Sequence, residues 1–182
     1  TFGFEMNRDS ATWNGNVELA PWNELANLSP VPVALPKPSG VLTLQGKLVP
    51  VEPEWLEVTT SFTSSNVAVS EVPRISREIK FPDLEFDASA RVHRKNFARD
   101  DITLTLDAGP LRGELRETLE EDGWHRAKGE VSLDMQGALD LASQAEELTG
   151  ELPRVDGKLS MKAEARHNNA QLERATLTTD WD

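Results

Sequence analysis

Apolar and polar residues alternate along most of this chain with a period of two. That is the mark of strands covered on one side only. Between Asp83 and His93, Leu84, Phe86, Ala88, Ala90 and Val92 point one way, and Glu85, Asp87, Ser89 and Arg91 the other. Ile102, Leu104, Leu106 and Ala108 repeat the pattern against Thr103, Thr105 and Asp107. Ala127, Gly129, Val131, Leu133 and Met135 do so again, and Leu159, Met161, Ala163 and Ala165 face away from Lys158, Ser160, Lys162, Glu164 and Arg166. Near the start, Phe2, Phe4 and Met6 alternate, as do Leu42, Leu44, Gly46 and Leu48.

The connections read as hairpins, and so predict antiparallel neighbours. Arg94 to Asp100 joins two strands, Glu120 to Gly123 is an acidic turn with glycine where positive φ is needed, and His167, Asn168 and Asn169 make a tight reversal. Thr59 to Ser70, rich in Ser and Thr, reads as an exposed edge strand. Val31 to Ser39 and Arg74 to Pro82 read as proline-punctuated connectors.

Two segments break the period. Gly137 to Gly150 sets Ala138, Leu141, Ala142, Ala145 and Leu148 on one helical stripe, with Gly150 as a C-terminal stop. Pro21 to Leu28 is a shorter helix candidate, with proline in its first turn and Trp22, Leu25, Ala26 and Leu28 as its apolar side.

These helices expose an internal repeat. Trp13 leads through Gly15, Val17 and Leu19 to a helix, then to Leu35, Pro36, Gly40, Leu42 and Leu44. Trp124 leads through Gly129, Val131 and Leu133 to a helix, then to Leu152, Pro153, Gly157, Leu159 and Met161. A hairpin strand follows in each, around Trp55 to Phe62 and Leu172 to Trp181. The pseudo-repeats run over about 12–70 and 124–182, joined by strands in 71–123. A module of this kind extends a sheet rather than closing it.

Composition narrows the chemistry. The 182 residues carry 19 Lys+Arg and 31 Asp+Glu, a net charge of −12, so the basic footprint of a nucleic-acid binder is missing. There are no cysteines, hence no disulfide framework, thiolate metal site or cysteine nucleophile. No apolar run reaches the length of a membrane-spanning helix. The opening strand-like segment at Thr1 and the stop at Asp180, Trp181, Asp182 lead us to expect a fragment of a longer protein.

No catalytic or cofactor motif emerges. His93, His125 and His167 each adjoin a turn or strand end, share no local spacing, and read as solvated. Glu120, Glu121 and Asp122 fall in a predicted turn, and Glu146 and Glu147 on a helix's outer side, not in the cleft that acid–base chemistry needs. Arg94, Lys95 and Arg99, with Phe97 among them, form a small basic patch fit for a lipid phosphate or a partner, or simply a charged hairpin loop. The expectation is therefore a non-enzyme without cofactor or metal. Its functional surface is the apolar strand face, either the lining of a groove or the core of a closed sandwich.

The runs around Gly129 to Leu141 and Leu152 to Met161, with Leu35, Pro36, Gly40, Leu42 and Leu44 in the first copy, resemble the repeats of AsmA-like bacterial envelope proteins, the superfamily with YdbH-, YhdP- and TamB-like members. The resemblance covers about two-thirds of the chain. It implies a mainly β fold: a long, curved, one-sided antiparallel sheet, a U-shaped β-groove with two short interposed helices. A closed β-sandwich is the alternative. It also implies a periplasmic segment of an inner-membrane-anchored protein of a Gram-negative bacterium, bridging the membranes and shielding phospholipid acyl chains. The residues expected to line the groove are Leu42, Leu44, Leu84, Phe86, Val92, Ile102, Leu104, Leu106, Val131, Leu133, Leu159 and Met161. An envelope scaffold that binds other envelope proteins is the alternative function.

Overall fold

The structure, a computed structural model, describes residues 1–7, 10–21, 36–72, 78–95, 99–145, 154–168 and 171–182. Its strands are β1 (Phe2–Met6), β2 (Ala11–Glu18), β3 (Lys37–Glu52), β4 (Trp55–Ser70), β5 (Ile79–Lys80), β6 (Leu84–His93), β7 (Arg99–Ala108), β8 (Leu111–Leu119), β9 (His125–Asp134), β10 (Lys158–His167) and β11 (Leu172–Trp181). Between β9 and β10 lies one helix, α1 (Met135–Ala145). The strands form a single 11-stranded antiparallel sheet in the order β1-β2-β3-β4-β6-β7-β8-β9-β10-β11, with β5 paired to β4.

The sheet does not close. β1 and β11 end the order and do not pair with each other, and no second layer faces the sheet among the described residues. The closed sandwich is thus not what this chain forms. Alternation without a partner layer leaves no core: no described side chain is fully buried, and the buried apolar residues are only Ala68 and Ile79. Total accessible surface is 12804 Å², against about 8,800 Å² expected for a compact monomer of this mass.

The two ends of the strands differ. At one rim, tight reversals join β1 to β2, β3 to β4, β6 to β7, β8 to β9 and β10 to β11. Gly123, at φ 82°, closes the β8–β9 turn and its N–H donates to the Glu120 carbonyl at 2.9 Å, as the acidic turn predicts. The opposite rim carries the longer connections, with α1 and β5, besides the two-residue turn at Gly109 and Pro110 that joins β7 to β8. Asp134 caps α1, its Oδ1 accepting from the Gln136 N–H at 3.2 Å. The helix packs against β5 and β9, and the Lys80 N–H donates to Gln144 Oε1 at 3.1 Å. Ala68 and Ile79 lie where β5 crosses the end of β4.

Several expectations shift. The helix starts at Met135, which the alternation had given to β9, and Leu148, Gly150 and the Pro21–Leu28 helix beyond its first residue lie outside the described residues. Thr59 to Ser70 is no edge strand. It is the greater part of β4, paired with β3 on one side and with β6 and β5 on the other. Its hydroxyls misled because they fall on both faces, with Val58 and Phe62 interleaved. The Arg74–Pro82 connector contains β5, and β3 already begins at Lys37. β8 is the strand that the acidic hairpin turn required before it, but its residues were not assigned: Gly113 and Glu117 interrupt its alternation and leave Leu111, Leu115 and Leu119 spaced by four, closer to a helical than a strand period.

Candidate functional site

Directly paired residues of an antiparallel ladder share a face, so the registers settle which side chains stand together. Phe2 pairs with Gly15, Gly15 with Leu44, Leu44 with Phe62, Phe62 with Phe86 and Phe86 with Leu106. The row continues from Leu106 to Gly113, Val131, Met161 and Thr179. It crosses every strand of the main order, roughly 43 Å at about 4.8 Å per strand. Neighbouring rows share its face. Leu42 reaches Leu84 through Ser64; Leu104 lies between Ala88 and Leu115; Leu133 lies between Leu111 and Leu159. Val92 pairs with Leu56, and Ile102 precedes Leu104 by two residues on β7.

All the residues expected to line a groove therefore stand on one face of one sheet. Leu56, Val58 and Phe62 of β4, on the hairpin strand expected around Trp55 to Phe62, and Leu111 and Leu115 of β8 join them. Two ring systems also belong here. Trp13 covers Gly46 and Phe2 covers Gly15, each glycine leaving room that a Cβ would fill. The face is uncovered: Val131 is 44% and Met161 41% exposed in the interior of the sheet.

The other face is charged. Lys128 and Arg126 reach Glu164 at 3.8 and 3.6 Å, and Lys162 reaches Glu130 at 3.8 Å. Two depressions, of about 660 and 640 Å³, lie on this polar side. The first is lined chiefly by Glu114, Arg116, Arg126, Lys128, Lys162 and Glu164 over β8–β10, the second by Thr12, Gln45, Lys47, Thr59, Ser61 and Thr103 over β2–β7. The apolar surface is thus distinguished by its chemistry and openness rather than by a deep cavity.

Charges gather at the tight-turn rim. On the polar side Arg166 lies over the Trp124 ring at 5.1 Å and pairs with Glu120 at 2.7 Å, and also with Asp122 and Glu173. Its hydrogen bond holds the Glu120 carboxyl below its ordinary value of 4.5, with Arg126 adding to the effect. Glu54 is lowered likewise, first by Lys95 and then by His93. Lys95 is thus engaged by Glu54 rather than free for a lipid phosphate, and Phe97 lies outside the described residues.

A carboxyl lowered in the folded state stabilises it fully above the unfolded value and loses that contribution as pH falls through the folded one. The melting temperature should therefore drop as pH is lowered below about 4.5. Arg166→Met should flatten that part of the profile, as read by circular dichroism melts from pH 7 to 3. An unchanged acid limb in the variant would show that the Arg166 cluster does not set it.

The histidines are not isolated as expected. His125 and His167 pair across β9 and β10, on the apolar face, and their rings stack at 5.4 Å with 11° between planes. Both approach Glu117: His125 Nδ1 lies 3.0 Å from one carboxylate oxygen and His167 Nε2 3.6 Å from the other. His125 Nδ1 is shielded from solvent, yet the approach is not aligned as a hydrogen bond. The third, His93, packs edge-on against Trp55 at 5.1 Å, with Glu54 3.4 Å away. Sequence spacing hid the pair, because 42 residues separate partners that only the β9–β10 register unites.

Among the described residues no cluster of His, Asp and Glu is arranged to hold a metal ion, and no helix is long and apolar enough to cross a membrane. Comparison with protein-family models, with curated proteins and with solved structures finds no match, so the surface itself carries the functional argument.

Proposed function

We propose that this chain is a segment of a periplasmic lipid-transport protein whose apolar face shields phospholipid acyl chains on their way between two membranes. The observation that carries this reading is the apolar row from Phe2 to Met161, unbroken by charge and covered by no other layer among the described residues. An exposed apolar surface of this extent marks a binding surface rather than ordinary exterior. Each methylene kept from water is worth about 0.8 kcal/mol, so a chain of roughly 16 carbons gains on the order of 10 kcal/mol. Aliphatic side chains without hydrogen-bonding demands hold such a chain without fixing it, which suits passage along the sheet. The resemblance to AsmA-like repeats agrees with this use, and with a curved sheet forming a groove.

The test is lipid extraction and native mass spectrometry of the chain purified from a Gram-negative periplasm. We expect co-purifying phospholipid, and crosslinking to it from a photoreactive residue at Leu133 but not at Thr178 on the charged side. A lipid-free protein that also fails to crosslink at Leu133 would sink the proposal.

A further inference from the structure

The apolar face is not uniform from end to end. Its ionisable side chains, among the described strands, are Arg99, Glu117, His125 and His167. Arg99 opens β7, Glu117 lies near the end of β8, His125 opens β9 and His167 closes β10, so all four stand at the tight-turn rim of four adjacent strands. At the other rim the same strands present Ala108, Leu111, Leu133 and Leu159. The neighbouring strands β2, β3, β4 and β6 show no such cluster: at the tight-turn rim their apolar face ends in Ala11, Pro50, Leu56 and Val92.

We propose that the Glu117, His125 and His167 cluster, flanked by Arg99, seats a phospholipid headgroup. The lipid then lies along β7–β10 with its head at the tight-turn rim and its acyl chains toward Leu111, Leu133 and Leu159. This rests on the lipid reading above and adds a position and a direction to it. An acyl chain laid over Glu117 would strip water from a carboxylate and return nothing, whereas a headgroup there keeps it hydrated and offers hydrogen-bond partners. The reverse orientation would set a phosphate over Leu111 and Leu133, which have no side-chain donor. Length also fits. The eight steps from His125 to Leu133 span roughly 26 Å of strand, enough for a headgroup plus a chain that reaches about 15 Å in one leaflet.

The experiment uses the whole chain loaded from phosphatidylethanolamine vesicles. The lipid carries a nitroxide either on the headgroup or near the acyl terminus, and paramagnetic broadening of backbone amides is read by NMR. The head label should broaden Glu117, His125 and His167 several-fold more than Leu111, Leu133 and Leu159, and the tail label should do the reverse. Replacing the cluster together (Glu117→Leu, His125→Leu, His167→Leu) should bring the head-to-tail contrast of the lipid that stays bound close to one. Equal broadening at both rims, an inverted pattern, or a contrast that survives the triple replacement overturns the orientation while leaving lipid binding intact. No broadening from either label removes the lipid reading and the inference with it.

Discussion

Leu104→Arg should strip phospholipid from the purified chain by tenfold or more while shifting its melting temperature by only a few degrees. Leu104 sits mid-sheet on β7, between Ala88 and Leu115, on the path that the proposed lipid role gives to an acyl chain. A guanidinium inside hydrocarbon costs about 2.5–3.5 kcal/mol on insertion scales, and each 1.4 kcal/mol is about tenfold in affinity. The fold bears the change because Leu104 is only half-buried in a single-layer sheet: an arginine stem lies along apolar neighbours and lifts its charge into water. In a closed sandwich the same substitution would strand a charge and unfold the protein. Thr103→Arg is the matched control. It faces the opposite side, beside the depression formed by Thr59, Ser61 and Lys47, and should leave bound lipid unchanged. If Thr103→Arg released the lipid and Leu104→Arg did not, the ligand would belong to the polar depressions. The readout is phospholipid per protein after extraction, with melting followed by circular dichroism.

The alternating strands were legible because one face meets water and the other does not, so every second residue carries the signal. That holds for β6, β7, β9 and β10, and it placed each proposed lining residue on one shared face. Legibility failed where the face itself is chemically mixed. Thr60 and Ser64 sit on the apolar side of β4 and made a central strand look like an edge. Gly113 and Glu117 hid the alternation of β8, and Glu117 proved to be the partner of two histidines rather than an error in the pattern. Pairs such as His125 with His167 are set by register, which local sequence does not encode. The choice between an open and a closed sheet was beyond the alternation too, since both need the same residues; it turned on β1 and β11, which do not pair.

Gly40→Ala should be among the most damaging small changes at the described residues, lowering stability by about 2–4 kcal/mol. Gly40 holds φ at 116°, a conformation that costs an L-residue about 1–2 kcal/mol. A Cβ there would also stand 2.8 Å from both the Asn66 carbonyl oxygen and the Val67 Cα. These are backbone atoms, so no side-chain rotation relieves the clash. The strain marks a bulge. Val41 pairs with Ser65 and Ser39 with Ala68, so β4 spends three steps where β3 spends two. Asn66 takes up the extra residue at φ 53°, and its N–H donates to Asp83 Oδ1 at 3.0 Å, while the Gly40 carbonyl accepts from the Leu19 N–H at 3.0 Å. Four strands are thereby tied at one point of the long-connection rim.

At 2–4 °C per kcal/mol for a chain of this size, the melting temperature should fall by about 5–15 °C. Two other glycines separate the causes. Gly123, at φ 82° with nothing within 4 Å of a Cβ, tests backbone conformation alone and should cost about 1 kcal/mol on change to Ala. Gly113, with ordinary contacts from 3.6 Å, should tolerate Ala without loss. Should Gly40→Ala melt no lower than Gly123→Ala, the clash with β4 would not be limiting and the bulge would be free to slip. A one-residue slip turns every side chain of a strand to the other face, so this glycine guards the register on which the apolar row across β3 and β4 depends.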